Sequence, residues 1–158
     1  MAMNPVQHIR NASGSAARHR RTIALLSALG VLDFIPISLY QLGVIRHLPD
    51  PPSALFDSDA VNASEEARIL GLPDGPISLA LYAASIGLAG AALARNTSRS
   101  RLDVLLGGLL LGQAAGGVFY LYNMATVQKK VCLYCVAGAF INVASLIPLS
   151  RLLRQRGT

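Results

Sequence analysis

Cys132 and Cys135 are the only two cysteines of the chain, and both fall within "KKVCLYCVAGAF", residues 129–140. A Cys-x-x-Cys pair supports two kinds of chemistry. It can open and close as a redox disulfide, or it can supply half of a four-ligand zinc site. The zinc route lacks ligands: there is no second pair, His8 and His19 lie on the far side of the first apolar block, and only His47 could approach. No metal is expected. Two cysteines used as small apolar packing residues remain the bland alternative. Spacing and position favour the dithiol. Residues i and i+3 share a helix face, and a pair in the first turn can be bridged with little backbone movement. Cys132 opens an apolar run, where a helix N-terminus presents unpaired N–H groups and a positive dipole end. Lys129 and Lys130 add charge beside it. All three effects favour the thiolate, which is the reactive form. Cys135 is expected one turn deeper, in apolar surroundings.

The elements that hold this pair are apolar blocks. Of 158 residues, 53% are hydrophobic and only 14% charged, too few charges to clothe a soluble domain of this length. Four blocks are long enough to cross about 30 Å of hydrocarbon: Thr22–Ile45, Pro76–Ala94, Val104–Thr126 and Val131–Leu153. The first is too long for a cleavable signal and is expected to stay as an anchor. The fold class is therefore all-α, an integral membrane four-helix bundle. Residues 1–21 form a basic tail expected to be disordered, 22–153 the membrane domain, and 154–158 a second tail.

Ten of the 14 basic residues flank one side: Arg10, Arg18, Arg20, Arg21, Arg95, Arg99, Arg101, Arg151, Arg154 and Arg156. The positive-inside rule makes that side cytoplasmic, with both termini on it. The loop Arg46–Gly75 then faces outward and carries most of the acidic residues. The cysteines fall at the outer end of the fourth span, and the bacterial periplasmic face is oxidising. The net charge of +6 has no aromatic interleaving, so it points to membrane lipid and not to nucleic acid.

Within the outer loop, "DSD" offers N-cap oxygens ahead of "AVNASEEARIL", where Val61, Ser64, Ala67, Arg68 and Leu70 recur at helical spacing. A short external surface helix is expected there, stopped by Gly71 and Pro73. In the third span, Gly108, Gly112 and Gly116 repeat every four residues and predict a strip for close helix contact. Asp33 falls near the middle of the first span, either as a proton relay or as a hydrogen-bonded packing residue. A dithiol at a bilayer needs a lipid-soluble electron carrier, and quinones (ubiquinone or menaquinone) fill that role. All five tyrosines fall in the outer half. Tyr82 and Tyr120, joined by Phe119, Asn123 and Phe140, form either a pocket wall for a flat ring or a one-sided interfacial belt.

This pattern resembles the vitamin K epoxide reductase family, membrane oxidoreductases of four helices with a Cys-x-x-Cys at the outer start of the fourth helix beside a quinone. "CLYCVAGAFINV" sits as that motif does, and "SDAVNASEEARILGLPDG" is similar to the family's loop segment Cys-x-x-Val-x-x-Ser, with Val61 and Ser64 matching. The resemblance covers about residues 22–153. Two positions depart from it. Ser58 stands where the second loop cysteine is expected, with no cysteine before it, and Ala139 stands where the family has a tyrosine. The resemblance implies a quinone-coupled thiol–disulfide oxidoreductase of the bacterial inner membrane, which re-oxidises a thioredoxin-fold partner on the outer side. Without loop cysteines the partner must reach Cys132 directly, as the more exposed thiol, while Cys135 resolves the mixed disulfide and faces the quinone. The alternative is a non-enzymatic subunit of a larger membrane complex that keeps the fold with a structural disulfide.

Overall fold

The computed structural model describes residues 4–95 and 101–155. Arg99 and Arg156 lie outside these. Four of its helices are long and apolar enough to cross a membrane. They are α2 (Ser15–Gln41), α4 (Asp74–Ala94), α5 (Arg101–Asn123) and α6 (Leu133–Arg154), with α1 (Pro5–Asn11) and α3 (Ser58–Ala63) as short additions. Helix α2 packs on α4 and α6, and α5 packs on α6 and α4. The bundle is thus a ring in chain order. Alternating direction gives it a terminal end, where α2 starts and α6 finishes, and a loop end, where residues 42–73 and the cysteines lie.

Helix α2 differs from its expected span at both ends. It stops at Gln41 because Gly43 adopts φ 75, and Val44 N–H donates to Leu39 O at 2.8 Å while Gly43 N–H donates to Tyr40 O at 2.9 Å. That is a Schellman closure, with glycine in the left-handed region. At the other end α2 begins at Ser15, and α1 precedes it. Within the tail expected to be disordered, residues 5–11 and 15–21 are therefore helical. Arg21 explains part of this: its Nη2 donates to the carbonyls of Ile9, Arg10 and Ala12, satisfying the open end of α1. Ile9, Ala12 and Ala17 then pack on Leu93 of α4.

Arg20 also departs from the picture of a basic flank. It is buried and makes a bidentate pair with Asp103 of α5, Nε to Oδ1 at 2.9 Å and Nη2 to Oδ2 at 2.7 Å. Its Nη1 donates to Ala92 O of α4 at 3.3 Å. One guanidinium thus joins three helices at the terminal end, just beyond the apolar core of Ile23, Ala89, Leu106, Leu110, Leu149 and Leu152.

The glycine strip is not a seam within the bundle. A Cβ placed on Gly108, Gly112 or Gly116 would meet nothing within 4 Å. Close contact falls instead on Gly117, where a Cβ would lie 3.0 Å from Ala139 Cα of α6. The loop helix is shorter than expected. It ends at Ala63, because Ser64 takes an extended backbone and its Oγ donates to Val61 O at 2.7 Å. A 3₁₀ turn (Glu65–Ala67) follows, then a hairpin of β1 (Arg68–Ile69) and β2 (Leu72–Pro73). Its two turn residues, Leu70 at φ 53 and Gly71 at φ 81, have the paired positive angles that match strand twist.

Candidate redox site

The segment carrying the cysteines is held between α5 and the loop. Helix α5 widens into a π turn (Met124–Gln128), after which Lys129 turns left-handed at φ 53. Val131 then pairs with the loop: its N–H donates to Leu55 O at 2.9 Å, and its carbonyl accepts from Asp57 N–H at 3.1 Å. These bonds place Cys132 as the N-cap of α6, where its Sγ accepts from Cys135 N–H at 3.1 Å. Cys132 and Cys135 are joined in a disulfide, with Cα atoms 5.2 Å apart. Sulfur takes the place of the usual capping oxygen.

The loop is fastened over this pair by its carboxylates. Asp57 caps α3 by accepting from Ala60 N–H. Asp59 accepts from Leu48 N–H and lies 2.8 Å from His47 Nδ1. Asp50 takes both the backbone N–H and the hydroxyl of Ser58, each at 2.6 Å. Ser58 is fully buried. Ser64 accepts from Gln128 Nε2 of the π turn at 2.9 Å. Both serines singled out in the sequence are therefore structural ties of the loop. Gln41 closes the other side, donating to Asn62 O and Asp74 Oδ1 and accepting from Gly75 N–H.

Two expectations for the cysteines are corrected. Cys132 is 0% exposed, packed beneath Val61 and Met124, whereas Cys135 is partly exposed. The order of exposure is reversed, because α3 lies over the first sulfur. The lysines do not serve the thiol: Lys130 Nζ donates to Ala54 O at 2.8 Å and lies 4.0 Å from Asp57, and Lys129 is exposed. The N–H that meets Cys132 Sγ from a side chain belongs to Asn62, at 3.3 Å.

A cavity of about 140 Å³ opens beside Cys135, lined by Phe34, Tyr82, Gln113, Tyr120, Ala139 and Asn142, with Ile69, Asp74 and Ser78 toward the loop end. Of the five residues expected as a ring pocket, only Tyr82 and Tyr120 line it. Phe119 and Phe140 are 60% and 75% exposed and face away from the bundle. Asn123 is buried outside the cavity lining. Tyr122 is exposed, while the Tyr40 and Tyr134 hydroxyls donate to the loop carbonyls of Asp59 and Pro49. Residues not foreseen are Gln113, whose Nε2 donates to Ser85 Oγ at 3.0 Å, and Asn142, whose Nδ2 donates to Gln113 O at 3.3 Å. Asn142 Oδ1 is buried with no hydrogen-bond partner among the described residues. Polar side chains inside apolar spans were the signal that could have found both. Asp33 does not line the cavity. Its Oδ2 is likewise a buried acceptor without a partner, and it faces α6 at Gly138.

The site is thus a disulfide beside a cavity, on a bundle of four helices long and apolar enough to cross a membrane. The sequence profile of the vitamin K epoxide reductase family matches residues 21–149, and the chain belongs to that family. None of the curated proteins matches it. The fold and the family together make it a multi-pass membrane protein.

Proposed function

We propose that the Cys132–Cys135 pair exchanges two electrons between a thioredoxin-fold dithiol and a quinone whose ring occupies the cavity. The observation that carries this is the placing of Cys135 in the lining of that cavity with Tyr82, Tyr120, Gln113 and Asn142. Those residues fit such a ring: two phenols and two amides can bond its oxygens, and Phe34, Ala139 and Leu81 supply apolar walls. Alanine at 139 leaves open the space that a tyrosine there would fill. A bound quinone supplies an acceptor for two electrons and two protons. The chain's part is to present Cys135 to it and to hold Cys132 within reach for closing the disulfide. Asp33 of α2, which faces Gly138 one turn along α6 from Cys135, is proposed as the proton relay. The protein is proposed to lie in the bacterial inner membrane with both termini cytoplasmic and residues 46–75 outside, where the partner approaches.

Dithiothreitol-driven reduction of a soluble ubiquinone or menaquinone analogue by the purified protein, followed by ultraviolet absorbance, tests this reading. Turnover that disappears in Cys135→Ser is expected, and no turnover in the intact protein refutes it. One observation favours the second reading, a subunit of a larger membrane complex: Cys132 is completely covered, as a structural disulfide would be. In that case the disulfide resists millimolar dithiothreitol in the folded protein.

A further inference from the structure

We infer that Asn62 is a catalytic residue of the disulfide couple, its side-chain amide holding the Cys132 sulfur as the thiolate formed when the bond opens. The inference rests on the redox reading above, since a permanently closed disulfide has no use for it. Asn62 lies on α3, five per cent exposed, and its Nδ2 reaches two acceptors, Ser58 O at 2.8 Å and Cys132 Sγ at 3.3 Å. The second N–H on that sulfur is the Cys135 backbone, at 3.1 Å. The hydrophobic cluster that encloses Cys132 holds Val61 and Met124, with Leu121 and Tyr134 packed against it. A disulfide sulfur is a weak acceptor and gains little from two donors. A buried thiolate needs them, because desolvation otherwise opposes the charge. The charged side chains of the neighbouring elements are turned elsewhere: Lys130 to Ala54 and Asp57, Asp59 to His47 and Leu48, Asp50 to Ser58. Among the described residues, the two N–H groups are thus what this pocket offers to a negative sulfur.

The arrangement gives the exchange a direction. A thiolate of the incoming dithiol attacks Cys135 Sγ, the partly exposed sulfur. A bond forms between those two sulfurs, the Cys132–Cys135 bond breaks, and Cys132 leaves as the thiolate held by Asn62. The dithiol's second thiolate then attacks its own first sulfur and releases Cys135. The dithiol has become a disulfide, and its two electrons rest on Cys132 and Cys135. Run backwards, the same step has the Cys132 thiolate close the bond onto Cys135. A sulfur with two donors makes the better leaving group and a more oxidising couple.

The test equilibrates the full chain in nanodiscs with dithiothreitol redox buffers and reads the closed fraction by maleimide mass shift, with no quinone or partner present. Failure of the quinone reading therefore leaves this measurement intact. Losing one hydrogen bond to a charged sulfur lowers the reduction constant roughly ten- to a hundredfold, or ~30–60 mV for a two-electron couple. Asn62→Leu is expected to show that shift, and Asn62→Asp, which replaces the donor with a negative charge at nearly constant shape, a larger one. Thermal unfolding of the oxidised proteins reports separately on the bond to Ser58. A reduction constant within twofold of wild type in either folded variant, or loss of the fold in both, overturns the inference.

Discussion

Removing the carboxylate of Asp103 takes from the Arg20 guanidinium, buried among three helices, the bidentate counter-charge it pairs with. Both partners are almost wholly enclosed, with side chains 3% and 0% exposed, so solvent screening does little to soften the change. Breaking such a pair from one side costs about 3–5 kcal/mol, because an uncompensated charge remains. At roughly 2–4 °C per kcal/mol for a chain of this size, Asp103→Asn is expected to lower Tm by about 6–20 °C. Replacing both partners with apolar residues of similar volume, Arg20→Met with Asp103→Leu, removes the charge as well as the bond. Such replacements are often neutral or stabilising, so the double variant is expected within about 1 kcal/mol of wild type. Circular dichroism melts in detergent, run as a double-mutant cycle, give the coupling. Single variants that lose less than 1 kcal/mol, or a double variant as unstable as the worse single, would refute the argument that the pair is a buried tie.

Three further outcomes follow from the same structure. Gly117→Ala, which sets a Cβ 3.0 Å from Ala139 Cα, is expected to destabilise by about 1–3 kcal/mol, whereas Gly108→Ala, with open space at its Cβ, is expected to be neutral or slightly stabilising; the same melts decide between them. A cysteine at Ser53 is expected to react with an impermeant maleimide in intact cells, and labelling only after permeabilisation would reverse the proposed orientation. Asp33→Asn is expected to slow quinone turnover while the protein still accumulates with its disulfide closed, and unchanged turnover returns Asp33 to a packing role.

The four spans were legible because their apolar residues are contiguous, and a bilayer asks little more of a helix than length and the absence of charge. Helix faces were harder to read. Tyr120 lines the cavity while Phe119, one residue earlier, points outward, and Ala139 lines it while Phe140 does not. Neighbours on a helix differ by about 100°, so locating a residue in the outer half of a span says nothing of its face. The strip Gly108–Gly112–Gly116 failed as a packing seam for the same reason. Periodicity shows that the three glycines share a face, but the neighbour on that face is set by tertiary packing, which brings α6 against Gly117.

The redox site divides along similar lines. The spacing of Cys132 and Cys135 predicted a bridgeable pair, and the structure closes it. Their order of exposure came out reversed because it depends on a loop nearly 70 residues away in sequence. Nothing local to "KKVCLYC" says that Val61 and Asn62 will lie over the first sulfur or that Lys130 will turn to the loop. The ties that bring them there are spread over Asp50, Asp59, Gln41 and Ser64, each an ordinary polar loop or helix-end residue until its partner is known. Ser58 shows what this means for the chemistry. In a loop that carried a thiol at this position, the chain itself could deliver electrons to Cys132. Here a serine bonded to Asp50 is fixed in place, and its carbonyl holds the Asn62 amide that meets the sulfur. The loop has become a cover with a hydrogen-bond donor on its inner face, and the sulfur left open to attack is Cys135.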